Sequence, residues 1–334
     1  MASGDTAATN TLLPLGPGAA NSLEFESLRD IVEEVWRDDV PLYSNTTKVD
    51  AQAIREDWGT EDIGSVTAAD HRKIGFIAAP TAEVADRRLP NYCQLVAEEG
   101  SLSDTKRNIK QAGNTNTLEH RKLKRSRLML RKINARMHTP QAYVASMSDP
   151  VMATYHAYLT DGFLSVAGTP GAAPTGNGSD IPGAGTSPIA FDSIDPIDDV
   201  LQACAATRGA PAAMYLSLRN QRLFSRLPDA SIGELRSNKD NGNESPFMFI
   251  GTVKNYLSDF GLIETIPDID AISSGIGLID HDYLDIAVIP GMDFDEKDLG
   301  IRGSSSEFMI QWQGCVRVLL PEAQGYVNGF TTTG

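Results

Sequence analysis

Residues 117–137 read TLEHRKLKRSRLMLRKINARM, about six helical turns without a Gly or Pro. From Lys106 to Arg136 stand eleven Lys or Arg and one acid, Glu119, a net of 11 − 1 = +10 inside a chain of net charge −15. Leu123, Leu130, Ile133 and Met137 offer a seam for burial, and long cationic side chains can cover apolar surface while their charges stay in water. Three readings of the charge are open: a solvated face, salt bridges to acidic segments of another subunit, or contact with nucleic acid. No aromatic is interleaved with the basic residues, which argues against stacking on single-stranded bases.

Upstream, TKVDAQAIREDW (47–58) starts with an alternation on Val49, Ala51 and Ala53, and RRLPNYCQLVAEEG (87–100) is a second extended candidate. The polar run between them has poor helical periodicity, so the pair is expected to form a long hairpin projecting from the body. A two-stranded ribbon is marginal alone in water and should lie on another surface, such as a second subunit. Residues 1–22 are rich in Gly, Ala, Thr and Asn and read as a flexible arm. LEFESLRDIVEEVWRDDVPLY (23–43) places Leu28, Ile31, Val32, Val35 and Trp36 at helical spacing, with Ser27 as cap and Pro41 as the stop. Residues 1–40 hold eight Asp or Glu against Arg29 and Arg37, a net of 2 − 8 = −6.

Downstream, residues 138–168 read as mixed and partly helical. Residues 168–188, with six Gly and four Pro, read as an exposed mobile loop; no Gly-Lys-Ser/Thr makes them a phosphate cradle. The clearest helix signals follow: Asp195 as cap, Pro196 in the first turn, a face of Ile197, Val200, Leu201 and Cys204, then Arg208 and Gly209 at the end. Short strands and helices alternate over 210–290, the pattern of a compact α+β domain. In EFMIQWQGCVRVLL (307–320), Phe308, Ile310, Trp312, Val316 and Val318 share a face opposite Gln311, Gln313 and Arg317, a long half-buried antiparallel strand. A strand and a helix of such reach are expected to pack together.

Composition narrows the classes. The 334 residues, 41% hydrophobic and 22% charged, suffice for two domains or one elaborated domain. The negative balance argues against general affinity for nucleic acid or membranes. No apolar run approaches the roughly 20 residues of a membrane helix, and the N-terminus lacks the basic and apolar regions of a signal peptide. Cys93, Cys204 and Cys315, odd in number and far apart, fit a reducing cytoplasm rather than a disulfide framework.

Chemistry is scarce. None of His71, His120, His138, His156 and His281 stands at metal-ligand spacing, and no Gly-x-Ser-x-Gly occurs. DFDEKD (293–298) lacks the Gly and Glu of a calcium loop and reads as a solvated acidic turn. Asp280, Asp282 and Asp285 read as the exposed edge of a strand. No catalytic residue, metal or cofactor is expected.

The order of parts, together with several short runs, resembles the major capsid proteins of tailed double-stranded-DNA bacteriophages, in the short subfamily lacking a delta domain. LRDIVEEVWRDDVPLYS (28–44) looks like that group's opening acidic helix and turn. REDW (55–58) and RRLPNYCQLVAEEGSLSDT (87–105) look like its two E-loop strands, and QGYVNGF (324–330) is similar to its terminal peripheral-domain strand. The resemblance covers about residues 23–330; segment 168–188 has no counterpart. It implies the α+β Hong Kong ninety-seven fold. The parts would be an N-terminal arm (1–46), E-loop and flanking strands (47–103), a peripheral (P) domain spine helix (104–145), a mainly axial (A) domain (146–302), and a P-domain return strand with the C-terminus (303–334).

The resemblance also implies a structural subunit that self-assembles into pentamers and hexamers of an icosahedral head around double-stranded DNA. Scaffold, decoration and portal proteins are its further partner classes, with no membrane. Assembly would occur in the host bacterial cytoplasm. Candidate inter-subunit contacts are the acids Glu56, Asp57, Glu61 and Asp62 against the spine cations Arg121, Lys124 and Arg125. A cellular nanocompartment shell of encapsulin type is the alternative, and a soluble enzyme a more distant one.

Overall fold

In a computed structural model of the chain, residues 40–60, 87–108, 118–160, 162–166, 176–181, 183, 187–207, 209–227 and 255–332 are described. The arm 1–22, the expected acidic arm helix up to Asp39 and the hairpin tip therefore lie outside the described residues.

The described chain opens with α1 (Pro41–Asn45). Pro41 starts this helix, where a fixed φ and a missing N–H are harmless in a first turn, and the helix it was expected to stop lies outside the described residues. The alternation over 47–58 divides into β1 (Thr47–Asp50) and β2 (Arg55–Thr60). β3 (Arg87–Tyr92) pairs antiparallel with β2 from Arg55↔Tyr92 to Thr60↔Arg87, which forms the root of the expected hairpin. β4 (Gln94–Ser103) continues into the body, followed by α2 (Asp104–Asn108).

The basic stretch forms α3 (Leu118–His138), about 32 Å long. Its buried residues are Met129, Ile133, Asn134, Met137 and His138. Leu123, expected in the seam, is 50% exposed. Six residues at 100° each put it about 120° around the helix from Met129, off the i, i+4 row of 129, 133 and 137.

β12 (Ser305–Val318) spans 14 residues and is the axis of a five-stranded sheet. β4 covers one edge from Ser103↔Ser305 to Gln94↔Gly314. The other edge is shared by β11 (Asp295–Arg302) and β10 (Leu284–Val288), with β1 parallel to β10 beyond. Phe308, Ile310, Trp312, Val316 and Val318 are buried, as the alternation requires. α3 lies against β4 and β12, the expected partnership of long helix and long strand.

The second sheet has six strands in the order β5 (Phe163–Ser165), β13 (Gly325–Asn328), β9 (Gly275–Ile279), β6 (Ala213–Ser217), β8 (Gly261–Asp268), β7 (Asn255–Ser258). α4 (Asp195–Ala206) packs on β13 and β5, and α5 (Leu218–Phe224) on β6 and β8. The predicted face of Ile197, Val200, Leu201 and Cys204 is buried in this core. Alternation along β6 sends Met214 and Leu216 there, while Ala213 and Tyr215 join the core shared with the first sheet.

Several expectations change. Asp195 is not the cap of α4 but its first residue, with Ile194 in the cap position, and Arg208 lies outside the described residues. Among the described residues of 139–168, the helical reading reduces to a 3-10 turn, Tyr155–Tyr158, because Pro140 and Pro150 interrupt longer helix. Segment 168–188 is not all exposed loop. Gly176 and Gly178 are buried at positive φ, and a Cβ on Gly178 would stand 2.8 Å from the Tyr158 ring. Asp295, Glu296 and Asp298 of the expected acidic turn belong to β11, whose pairing with β12 supplies their backbone partners. Asp285 is not an exposed edge residue: it is buried beside Arg317, 2.9 Å away.

Sheet membership does not follow the division at 302/303. β10 and β11 belong with β12. The run QGYVNGF, expected in the peripheral domain with that strand, turns through Pro321–Ala323 and enters the six-stranded sheet between β5 and β9.

Candidate inter-subunit surface

The cations of α3 meet acids that lie on neighbouring elements of the same chain. Along β4, Val96, Gly100 and Leu102 point toward the helix side, and the period of two brings Glu98 with them. Glu98 is 5% exposed and receives both Arg125, at 3.1 Å, and Lys132. Lys122 pairs with Glu296 of β11 and stands over the Phe308 ring, 5.8 Å from its centroid. Arg131 pairs with Asp270 at 2.9 Å, and that hydrogen bond pushes the guanidinium pKa further up. Arg136 is pushed the other way by burial.

Between helix and sheet lies a groove of about 300 Å³, lined by Gly100, Ser101, Arg121, Lys124, Arg125, Leu128 and Phe308. Its floor is the Phe308 ring and Leu128, and its rim is cationic. Arg121 donates to the Ser101 carbonyl, which fixes its guanidinium at the rim. Lys124 and Arg125 are exposed. Such a site suits an acidic segment with apolar side chains.

The three spine candidates therefore cluster, but the two described acidic candidates, Glu56 and Asp57, pair elsewhere in the chain. Glu56 is buried, accepts from the Gln52 N–H at 3.1 Å and lies 3.9 Å from Arg317. Asp57 is held between Arg55 (3.0 Å) and Arg88 (2.8 Å) at the hairpin root. Glu61 and Asp62 lie outside the described residues. Glu98, Glu296 and Asp270 are the acids the sequence reading missed. The alternation of β4 could have placed Glu98, but nothing local announces the other two, which depend on tertiary register.

The hairpin root is anchored by buried polar contacts. Trp58 Nε1 donates to the Val318 carbonyl at 2.7 Å. Asn91, fully buried, donates to the Ala153 and Val316 carbonyls and accepts from the Ala153 N–H. Arg87 pairs with Glu322 at 2.7 Å. His138 and His156 are buried packing residues. Among the described residues no three His, Cys, Asp or Glu converge as a metal site, and no helix is long and apolar enough to cross a membrane.

A family model described as SU10 major capsid protein matches residues 3–331. Solved structures share the fold at low identity. The cyanophage A-1(L) capsid chain is 11% identical with a TM-score of 0.66, covering 93% of this chain and 98% of its own. The Mycobacterium phage Che8 chain is 11% identical with a TM-score of 0.59, over 92% and 98%. The SrpI encapsulin of Synechococcus elongatus PCC 7942 is 12% identical with a TM-score of 0.50, over 100% and 98%. No curated protein matches the chain.

Proposed function

The chain belongs to the SU10 major capsid protein family, a structural subunit of a phage capsid, and on that premise we propose that it assembles through pentamers and hexamers into an icosahedral head around double-stranded DNA. Assembly takes place in the host cytoplasm, with scaffold, decoration and portal proteins as further partners. The observation that carries this reading is the family match over nearly the whole chain. The subunit performs no turnover; its work is repeated contact around closed symmetry. A net charge of −15 fits a shell that encloses DNA without condensing it.

Within this reading, the boundaries 1–46, 47–103, 104–145, 146–302 and 303–334 mark arm, E-loop, spine, A domain and returning segment, with β10, β11 and β13 exchanging between sheets as described. The groove beside α3 receives an acidic segment of an adjacent subunit, either the arm (net −6 over residues 1–40) or hairpin acids such as Glu61 and Asp62. Asp57 and Glu56 serve the root of that hairpin. Exposed pairs are worth roughly 0–1 kcal/mol each and weaken with salt, but each is repeated in every subunit.

The test is charge reversal followed by electron microscopy of the expressed protein. Arg125 already pairs with Glu98, so Arg125→Glu would also burden the monomer with like charges. The double variant Arg121→Glu/Lys124→Glu leaves the Arg125–Glu98 pair intact, which the triple reversal does not. Loss of shells that exceeds any fall in the unfolding midpoint is expected, since Arg121 also donates to the Ser101 carbonyl within the chain; normal shells would refute the groove assignment. The encapsulin likeness supports a nanocompartment as the second reading. Purified particles holding a cargo protein in place of DNA would establish it.

A further inference from the structure

The sulfurs of Cys93 and Cys315 lie 3.4 Å apart, and both residues are fully buried. The register of β4 on β12 pairs Gln94 with Gly314, so Cys93 stands opposite Cys315 one step beyond. Opposed residues of an antiparallel pair have Cα atoms roughly 4.5–5.5 Å apart, inside the roughly 4.4–6.8 Å that a disulfide bridges. Cys93 is also where the chain leaves this sheet for the hairpin. Its N–H bonds to the Ile54 carbonyl at 2.7 Å, beside the β2–β3 ribbon. The third cysteine, Cys204, is buried in the other core against the Gln324 carbonyl.

We propose that Cys93 and Cys315 form an oxidative modification site, a thiol pair that a peroxide converts to a disulfide tying the hairpin root to the central strand β12. One thiolate attacks the peroxide O–O bond and becomes a sulfenic acid, releasing water. The second thiol then displaces the hydroxyl as a second water and forms the S–S bond. Two sulfurs give up two electrons, the peroxide takes them, and both thiol protons leave in water. The hydrogen bond with Cys93, together with burial, pushes the Cys315 thiol well above its ordinary pKa, so reactive thiolate is scarce in the closed state. Oxidation is therefore slow and depends on opening of the β3–β4 corner. A particle released from a reducing cell would acquire the bond gradually. The two residues are 222 apart in sequence, so the bond would close a very long loop and restrict the unfolded chain strongly.

The experiment uses the full-length chain, unassembled and as particles. Reduced protein is exposed to hydrogen peroxide, quenched, alkylated under acid denaturation and digested for mass spectrometry. The expected product is a peptide pair linking Cys93 to Cys315, lighter by two hydrogens, with Cys204 alkylated. The oxidised protein should melt higher than the reduced one by about 5 °C or more. Cys204→Ala should keep the cross-link, and Cys93→Ala should abolish it. Should Cys93→Ala fail to fold, the linked peptide of the unmodified chain still decides. Three alkylatable thiols after oxidation, a link through Cys204, or an unchanged melting temperature in the cross-linked chain would overturn the proposal.

Discussion

Asp268 Oδ2 lies 2.8 Å from His138 Nε2, and the two side chains join the last turn of α3 to the end of β8 with almost no solvent contact. Asn134, one turn earlier, donates to the same oxygen at 2.9 Å and accepts from the Tyr43 N–H of α1. The Asp270 N–H bonds to the other oxygen. A buried carboxylate thus ties the helix to the second sheet, and Asn134 extends the same network to α1.

Asp268→Asn replaces an acceptor with an amide whose N–H groups face donors, and should cost about 1–3 kcal/mol in denaturant unfolding of the monomer. Burial would raise the Asp268 pKa, but the hydrogen bond and charge of His138, with Asn134 and the Asp270 N–H, outweigh it and hold the carboxyl below its usual value. The depressed acid contributes stability fully present above the unfolded carboxylate pKa, roughly 4, and lost as pH falls through the lower folded value. Midpoints measured from pH 5 downward should fall less steeply in the Asn variant.

His156 should set a second pH limit. It is fully buried, stacked on Tyr155 at 3.8 Å and edge-on to Tyr326 at 4.3 Å, with Nδ1 3.0 Å from Thr154 Oγ1. Burial, then the charge of His138, pushes its pKa well down. The unfolded chain takes up a proton near pH 6.5 that the folded chain refuses, so this contribution is complete above about 6.5 and declines below it, by up to about 1.4 kcal/mol per pH unit. His156→Gln should flatten that slope while lowering stability at pH 8. A slope unchanged between pH 5 and 6.5 would assign the effect to another group, with His281, also depressed by burial, the next to replace.

Gly100→Ala should show how closely the helix, β4 and β12 fit. A Cβ at Gly100 would stand 2.3 Å from Phe308 Cζ, so the ring that floors the groove must move. Overpacking of this kind costs about 1–3 kcal/mol. Thermal unfolding should register it. Because the ring also carries Lys122 above it, the salt dependence of stability should shift too.

The parts of the fold that were legible in the sequence are those governed by local periodicity. The uninterrupted helix at 118–138, the alternation of Phe308 to Val318 and the face of α4 needed only the spacing of apolar residues. What escaped depended on distant register. Leu123 looked like core until the i, i+4 row of Met129, Ile133 and Met137 took the sheet. Asp285 looked like edge until β12 brought Arg317 across from it. Segment 176–178 looked like open loop because glycine signals mobility and close approach equally, and only the Tyr158 ring decides between them. At the candidate surface, the cations of α3 were visible as charge. Of their acids only Glu98 could have been placed by alternation, since Glu296 and Asp270 reach α3 from β11 and from the turn after β8.

Asn91 tests whether the hairpin root is a fixed lever. Its amide supplies three buried hydrogen bonds between β3, the Ala153 segment and β12, whereas Trp58 supplies one, to Val318. Asn91→Ala removes the side-chain partner of two carbonyls and of the Ala153 and Tyr92 N–H groups in the core and should cost at least about 2 kcal/mol, while Trp58→Phe should cost about 1 kcal/mol beyond its packing loss. Hydrogen exchange should separate local from global loosening. Both variants should expose the β2–β3 amides well before those of β12, with Asn91→Ala the more severe. The proposed grip of the hairpin on a neighbouring subunit requires a rigid root, so on that reading assembly yield should fall in the same order, and further than monomer stability does. Equal protection of β2–β3 in both variants and the parent would mean that contacts beyond Thr60 and Arg87 hold the ribbon.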